Sequence, residues 1–310
     1  MDTDIAESLF EPVLLNGRFY LEKKFDSGGM SSIYLAKDIL LGEKVVVKLC
    51  TRKDKQKEFR REIRLLRSCN HPAIQKVLSE GQYYDYPFYV MPFYESINLR
   101  EYLDSIYRIP EKDLLEIFMQ ITDATAYLHK RDIIHNDLKP QNILMEAGDK
   151  LVLSDFGLST RFSRSRRRRP ASETIWGSPV YLAPELAEGK FPSFPSDVYS
   201  LGVILFLLYT GFPPFFHNDL DILIKMHQTL LPPTPRLIVP NLSSTMNAII
   251  LRCLSKQPRD RFKNASELHH EVQTFFTNHP MQVENTIIQR HPDMTSIDQK
   301  TRKINNDLLK

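Results

Sequence analysis

The stretch DIIHNDLKPQNIL, Asp132 to Leu144, places His135, Asp137, Lys139 and Asn142 at fixed offsets between two apolar patches, Ile133-Ile134 and Ile143-Leu144. Those side chains offer a carboxylate that can take a proton, an ammonium that can meet negative charge, and a carboxamide oxygen that can face a cation. A second carboxylate follows at Asp155, in Ser154-Asp155-Phe156-Gly157, and carboxylate oxygen is what a hard cation prefers. Upstream, Lys48 ends Val45-Val46-Val47-Lys48, where its β-branched neighbours put it on a strand. A lysine so placed needs an anion to hold it. Glu62, within the next helical pattern, is the candidate, with Glu58 one turn earlier as the alternative. Taken singly, each of these residues more often serves a surface or capping role; the set carries the meaning.

The elements that position them can be read from periodicity. From Phe19 onward the runs FYLEKKF, SSIYLAKD and EKVVVKL alternate with Gly28-Gly29 and with Leu41-Gly42, which predicts an antiparallel meander. Lys55 to Ser68 then carries Phe59, Ile63 and Leu66 at helical spacing before Asn70-His71-Pro72 ends the element, and Glu62 borders that apolar face. Short strands near Ile74 to Glu80 and Pro87 to Met91 complete a small sheet. After residue 97 the pattern turns helical: Leu114, Ile117, Phe118, Ile121, Ala124 and Leu128 line one face of Asp113 to His129. Residues 141 to 155 read as two short strands around Ala147-Gly148-Asp149, and further helices are expected over 196–210, 218–230, 243–254 and 264–276. Beyond Phe276 the tail is polar and predicts no packed face, with a short docking helix at Thr301 to Lys310 as the alternative.

Composition narrows the class. A chain of 310 residues with 42% hydrophobic content can bury a real core and suits two packed lobes with short extensions. Three widely separated cysteines, Cys50, Cys69 and Cys253, without a CxxC pattern, suggest neither a disulfide framework nor a zinc site and fit a reducing cytoplasm. The acidic start MDTDIAESLF lacks the features of a secretory signal. The most apolar run, Val198 to Tyr209, falls short of the roughly 20 residues a membrane-spanning helix needs; it predicts a buried core helix. A net charge of +3 gives no case for nucleic acid. Arg161, Arg164 and the run Arg166 to Arg169, with no acid between them, cannot form an ordinary buried element.

HNDLKPQN, then SDFG, then GSPVYLAPE, in this order and spacing, is similar to the signature set of the protein kinases. The first strands, RFYLEKKFDSGGMSSIYLAKD, resemble in particular the bacterial, eukaryotic-like (Hanks-type) Ser/Thr protein kinases, and the likeness covers roughly residues 18 to 276. It implies an α+β, bilobal protein kinase fold: a small antiparallel sheet lobe with one main helix over 18–91, a hinge over 92–96 and a larger, mostly helical lobe over 97–276. Residues 1–17 and 277–310 are extensions. The implied activity is transfer of the γ-phosphate of ATP to protein Ser or Thr hydroxyls, with Mg2+, or Mn2+ as an alternative, as cofactor.

Phosphoryl transfer leaves little covalent chemistry to the protein, so each part positions a group or neutralises charge. By resemblance, Asp137 is the catalytic base, Lys139 contacts the γ-phosphate, Asn142 and Asp155 bind the metal, and Lys48, held by Glu62, meets the α- and β-phosphates. Phe25, Gly28, Gly29, Ile33, Val46, Met91, Pro92 and Tyr94 contact the nucleotide. Met91 is the gatekeeper, and Tyr94 can still donate where Pro92 has no N–H. Ser178 matches the position that contacts Asp137 and Lys139 in Ser/Thr kinases. Glu185 is expected to pair with Arg261, and Asp197 to accept from the backbone of the catalytic loop. Ser163, Ser172 and Thr174 are candidate phosphoacceptors, Ser172 having arginines three and four residues before it.

The departures matter as much. Against the G-x-G-x-x-G template the positions are Asp26, Gly28 and Ser31; glycine there lets N–H groups approach phosphate, and an inward Asp26 carboxylate would weaken nucleotide binding. Val46 replaces an alanine and would thin the adenine slot it forms with Ile33. Gln141 replaces a glutamate that often reads arginine in substrates, which places basic substrate preference in doubt. Asn136 stands where the family has an arginine held by activation-segment phosphate, so activity is expected not to depend on that phosphate. Two rival readings are a pseudokinase scaffold that binds nucleotide without turnover and a small-molecule phosphotransferase. The latter lacks Asp-Phe-Gly and Ala-Pro-Glu, both present here. The expected setting is a bacterial cytoplasm with a protein substrate as partner and no membrane span; in an intracellular pathogen, export to the host through the tail is one use for it. Substrate identity and oligomeric state are not encoded in these motifs.

Overall fold

The computed structural model describes residues 13–27, 30–106, 108–146, 150–162, 178–280 and 287–289. Contacts divide the chain into two units, Met1–Glu95 and Ser96–Lys310.

Alternation of apolar and polar residues builds the sheet of the first unit. Strands β1 (Leu14–Leu15), β2 (Phe19–Ser27), β3 (Ser31–Asp38), β4 (Glu43–Cys50), β5 (Ser79–Tyr83) and β6 (Tyr86–Pro92) form one antiparallel sheet in the order β1-β2-β3-β4-β6-β5. On β4 the odd positions Val45, Val47 and Leu49 go into the core with Tyr34, Ala36, Phe88 and Val90, leaving Val46 and Lys48 on the opposite face, as period-two geometry requires. Helix α1 (Gln56–Arg67) buries Phe59, Ile63, Leu65 and Leu66, and Glu62 with them. The strand expected over Ile74 to Glu80 lies later, at Ser79–Tyr83: His71 caps the preceding turn by accepting from Ala73 N at 3.2 Å, and Ile74 N donates to His71 O, so this segment turns before it extends.

The second unit is mostly helical. A short helix α2 (Leu99–Ser105), absent from the sequence expectations, starts with a capping box between Asn98 and Glu101. Then come α3 (Glu111–His129), α4 (Phe194–Thr210), α5 (Leu220–Thr229), α6 (Ser244–Cys253) and α7 (Ala265–Asn278). The apolar run Val198 to Tyr209 lies in α4, buried at every position from Ser196 to Thr210. Gly202 lets α6 approach: a Cβ there would sit 2.5 Å from Cys253 Cβ. Among the described residues no helix is long and apolar enough to cross a membrane. Short strands brace the loops: β7 (Ile97–Asn98), β10 (Ile143–Met145) and β11 (Leu151–Leu153) form one sheet, β9 (Ile133–Ile134) pairs with β12 (Thr160–Arg161), and β8 (Arg108–Pro110) pairs with β13 (Ile287–Gln289). That last pair departs from the expectation of a tail without a packed face, because Ile288 is buried. Residues 301–310, the alternative docking helix, lie outside the described residues.

His227 on α5 is buried, its Nδ1 2.8 Å from Tyr199 Oη and its ring edge-on to Phe215. Burial, with Lys256 nearby, pushes its pKa down to about 3. A depressed imidazole pKa means the unfolded chain binds the extra proton first, so its contribution is fully present above about 6.5 and is lost as pH falls toward 3. Between pH 7.5 and 5.5 the wild type should lose about 1.4 kcal/mol of stability to urea through this group, and His227→Gln should remove that part of the slope.

Candidate active site

Strand register decides what surrounds Lys48. Ile33, Lys48 and Tyr89 stand side by side across β3, β4 and β6, and Leu35, Val46 and Met91 form the next row on the same face. Lys48, 6% exposed, donates from Nζ to Glu62 Oε1 at 2.7 Å. Glu58 pairs instead with Lys55 at 3.4 Å, so the structure separates the two acidic candidates. Phe25 stacks on Phe93, ring centroids 6.4 Å apart and nearly parallel, with Lys44 Nζ 5.7 Å from the Phe93 ring. Pro92 ends β6 directly before Phe93 and Tyr94. Gly28, Gly29 and the Asp26 side chain lie outside the described residues.

In the second unit the loop after β9 is held by α4. Asp197, 1% exposed, accepts from His135 N at 2.8 Å and Asn136 N at 2.9 Å, one on each carboxylate oxygen, and lies 2.9 Å from His129 Nε2. Asn136 and Asp155 both have positive φ, 68° and 57°, a conformation that costs an L-residue energy unless its surroundings hold it. The loop then presents Asp137 with hydrogen-bond donors on both carboxylate oxygens. Oδ1 receives Ser178 N at 3.1 Å and Ser178 Oγ at 3.2 Å; Oδ2 receives Lys139 Nζ at 2.7 Å and Asn142 Nδ2 at 3.0 Å. Lys139 Nζ also donates to Ser178 Oγ at 2.9 Å.

Asn142 and Asp155 come from neighbouring strands' ends. Ile143 pairs with Leu153 across β10 and β11, and Ser154 donates from N and Oγ to Asn142 O at 2.8 and 3.0 Å. Asn142 Nδ2 is used by Asp137 O and Oδ2, so its Oδ1 is the atom left to face a cation. Asp155, exposed, offers carboxylate oxygen at the neighbouring strand end, and oxygen donors of this kind would suit a hard divalent ion such as Mg2+ and a soft metal poorly. His135 links the parts: its Nδ1 accepts from Asp137 N at 3.3 Å, its Nε2 lies 3.2 Å from Ser154 O, and Phe156 packs edge-on at 4.9 Å. Burial holds this imidazole below its ordinary pKa against the pull of Asp197, Asp137 and Asp155. Its contacts tie the backbone of Asp137 to that of Ser154.

A model of the protein kinase domain matches residues 19–273. The chain belongs to the protein kinase family. Among curated proteins it is 30% identical to serine/threonine-protein kinase PrkC of Bacillus subtilis over 286 residues, 91% of this chain and 44% of that protein. It is 31% identical to serine/threonine-protein kinase PknB of Mycobacterium tuberculosis over 271 residues, 84% of this chain and 43% of the relative. A probable serine/threonine-protein kinase of Streptomyces coelicolor is 32% identical, over 87% of this chain and 42% of its own length. The chain thus spans less than half the length of these relatives.

Within the kinase domain the Glu185–Arg261 pair expected from the motifs is present as a contact. Arg261, buried, donates to both Glu185 oxygens at 2.9 and 2.8 Å, and to the carbonyls of Pro195, Ser255 and Lys256. Asn136, in the place of an arginine, donates from Nδ2 to Leu158 O at 2.9 Å and Thr160 Oγ1 at 3.1 Å. Ser163, Ser172 and Thr174 lie outside the described residues. Motif spacing did not reveal Tyr89 beside Glu62, Ser154 beneath Asn142, or Thr160 beside Asn136; each depends on strand pairing, not on any local pattern. Asp197→Ala should cost about 2–4 kcal/mol in chemical denaturation, because it leaves two buried amide donors and His129 unpaired. A loss below about 0.5 kcal/mol would show that water takes over those donors.

Proposed function

We propose that the chain is an ATP-dependent Ser/Thr protein kinase domain. The observation that carries this reading is the Asp137 carboxylate shared by Lys139, Asn142 and Ser178, a layout suited to receiving a hydroxyl proton beside a bound anion. In the reaction the Ser or Thr oxygen bonds to the γ-phosphorus, the bond to the bridging oxygen of ADP breaks, and the hydroxyl proton passes to Asp137. Lys139 balances charge on the moving phosphoryl group. Lys48, oriented by Glu62, holds the α- and β-phosphates. Asn142 and Asp155 would hold Mg2+, or Mn2+, and that ion would supply positive charge to the nucleotide phosphates. Gly28 and Gly29 supply N–H groups to the phosphates, while Phe25, Ile33, Val46, Met91, Pro92 and Tyr94 enclose the adenosine. The partner is a protein bearing Ser or Thr, met in the cytoplasm.

We further infer that activity does not need a phosphate on the activation segment. In the family's usual arrangement an arginine beside the base is neutralised by that phosphate. Here the Asn136 carboxamide is neutral and already bound to Leu158 O and Thr160 Oγ1, so the segment is tied to the catalytic loop without charge. Ser163, Ser172 and Thr174 then serve as autophosphorylation sites that are not switches.

Purified protein incubated with ATP and Mg2+ should acquire phosphate on Ser163, Ser172 or Thr174, read by phosphosite mass spectrometry, and Asp155→Ala should lower the rate by about 10³-fold or more. Protein treated with phosphatase should keep its activity toward a generic Ser/Thr substrate. Asn136→Ala should lower activity about 10-fold through two lost hydrogen bonds, and Asn136→Arg should make activity phosphate-dependent. Nucleotide binding with no phosphate transferred to any substrate would sink the proposal in favour of a nucleotide-binding scaffold.

A further inference from the structure

The acid that orients Lys48 has a second donor. Tyr89 Oη donates to Glu62 Oε1 at 2.8 Å, the same oxygen that Lys48 Nζ reaches at 2.7 Å. The other oxygen, Oε2, is buried and has no hydrogen-bond partner among the described residues. Tyr89 sits directly across from Lys48 in the β4–β6 ladder, with Lys48 Nζ 6.0 Å from its ring centroid. Its ring packs on Phe59, one turn before Glu62 on α1, at 5.6 Å between centroids. The side chain is thus fastened to both elements that must meet, and it is 2% exposed.

We propose that Tyr89 is a positioning residue that holds Glu62 in place independently of Lys48. A buried carboxylate with one cation as its sole donor is left nearly bare whenever that cation turns toward another anion, and an uncompensated buried charge is costly. With Tyr89 Oη on Oε1, the carboxylate keeps one charge-assisted hydrogen bond while Lys48 engages phosphate. The hydroxyl therefore eases the sharing of Lys48 between Glu62 and nucleotide and keeps α1 at the sheet throughout. Nothing in the spacing of the signature motifs requires a hydroxyl at this position; the strand register supplies it.

The inference rests on the kinase reading for its kinetic arm, so the test also includes an arm that needs no turnover. Tyr89→Phe, Glu62→Gln and the double variant are compared with wild type for kcat/KM toward ATP and for Mg-ADP affinity by calorimetry, with thermal unfolding of each. Tyr86→Phe, on the same strand but in the core on the other face, is the packing control. Tyr89→Phe should lower kcat/KM and weaken Mg-ADP binding by about 10-fold, yet change either less than 2-fold in the Glu62→Gln background, while Tyr86→Phe leaves both unchanged. An equal loss in both backgrounds, or a shift in unfolding temperature with kinetics and affinity unmoved, overturns the proposal. If the wild type binds Mg-ADP but transfers no phosphate, the kinase reading fails and the affinity cycle still decides the role of Tyr89.

Discussion

One buried carboxylate, Asp197, holds the loop that carries Asp137. Asp197 at the start of α4 takes the amides of His135 and Asn136 on separate oxygens and meets His129, whose other nitrogen accepts from Ala265 N at 3.0 Å. Through these contacts the end of α3, the start of α7, the start of α4 and the loop after β9 converge on two oxygen atoms. A left-handed turn at Asn136, unfavourable for an L-residue by itself, becomes the lowest-energy choice once its amide has that acceptor.

The same economy governs the two charged pairs. Lys48–Glu62 and Arg261–Glu185 are both buried, where separation of partners costs far more than their net contribution to stability. They differ in completeness. Arg261 has carbonyls for its remaining donors, and Glu185 also accepts from Ser196 Oγ, so that pair is closed and purely architectural. In the Lys48–Glu62 pair, Glu62 Oε2 has no hydrogen-bond partner among the described residues, so that pair is not closed in the same way.

Much of this was legible in the sequence because the informative signals are local. Period-two alternation marked β2, β3 and β4, and the spacing of Phe59, Ile63 and Leu66 marked α1 and the burial of its face. The loop from His135 to Asn142 was legible as a set because its offsets are short. What escaped depends on partners far away in the chain. Helix α2 is too short to show a period and is announced by its capping box alone. The strand β5 starts later than the run from Ile74 suggests: a turn over Pro72–Ala73, capped by His71, leads into Ile74, and regular pairing begins only at Ser79. Asn136 looked like a lost arginine; only the pairing of β9 with β12 brings Leu158 and Thr160 within reach and shows that the carboxamide has its own contacts.

The pairing of β13 with β8 bears on where the folded unit ends. The family match stops at residue 273, yet Ile288 is inserted beside Ile109 and both are buried. A chain shortened at the match boundary would uncover Ile109 and leave β8 without its strand partner, the kind of edge that recruits strands from other molecules. The end of the helix Ala265–Asn278, with buried Phe275, and the strand Ile287–Gln289 therefore belong to the packed unit although both lie beyond the family match.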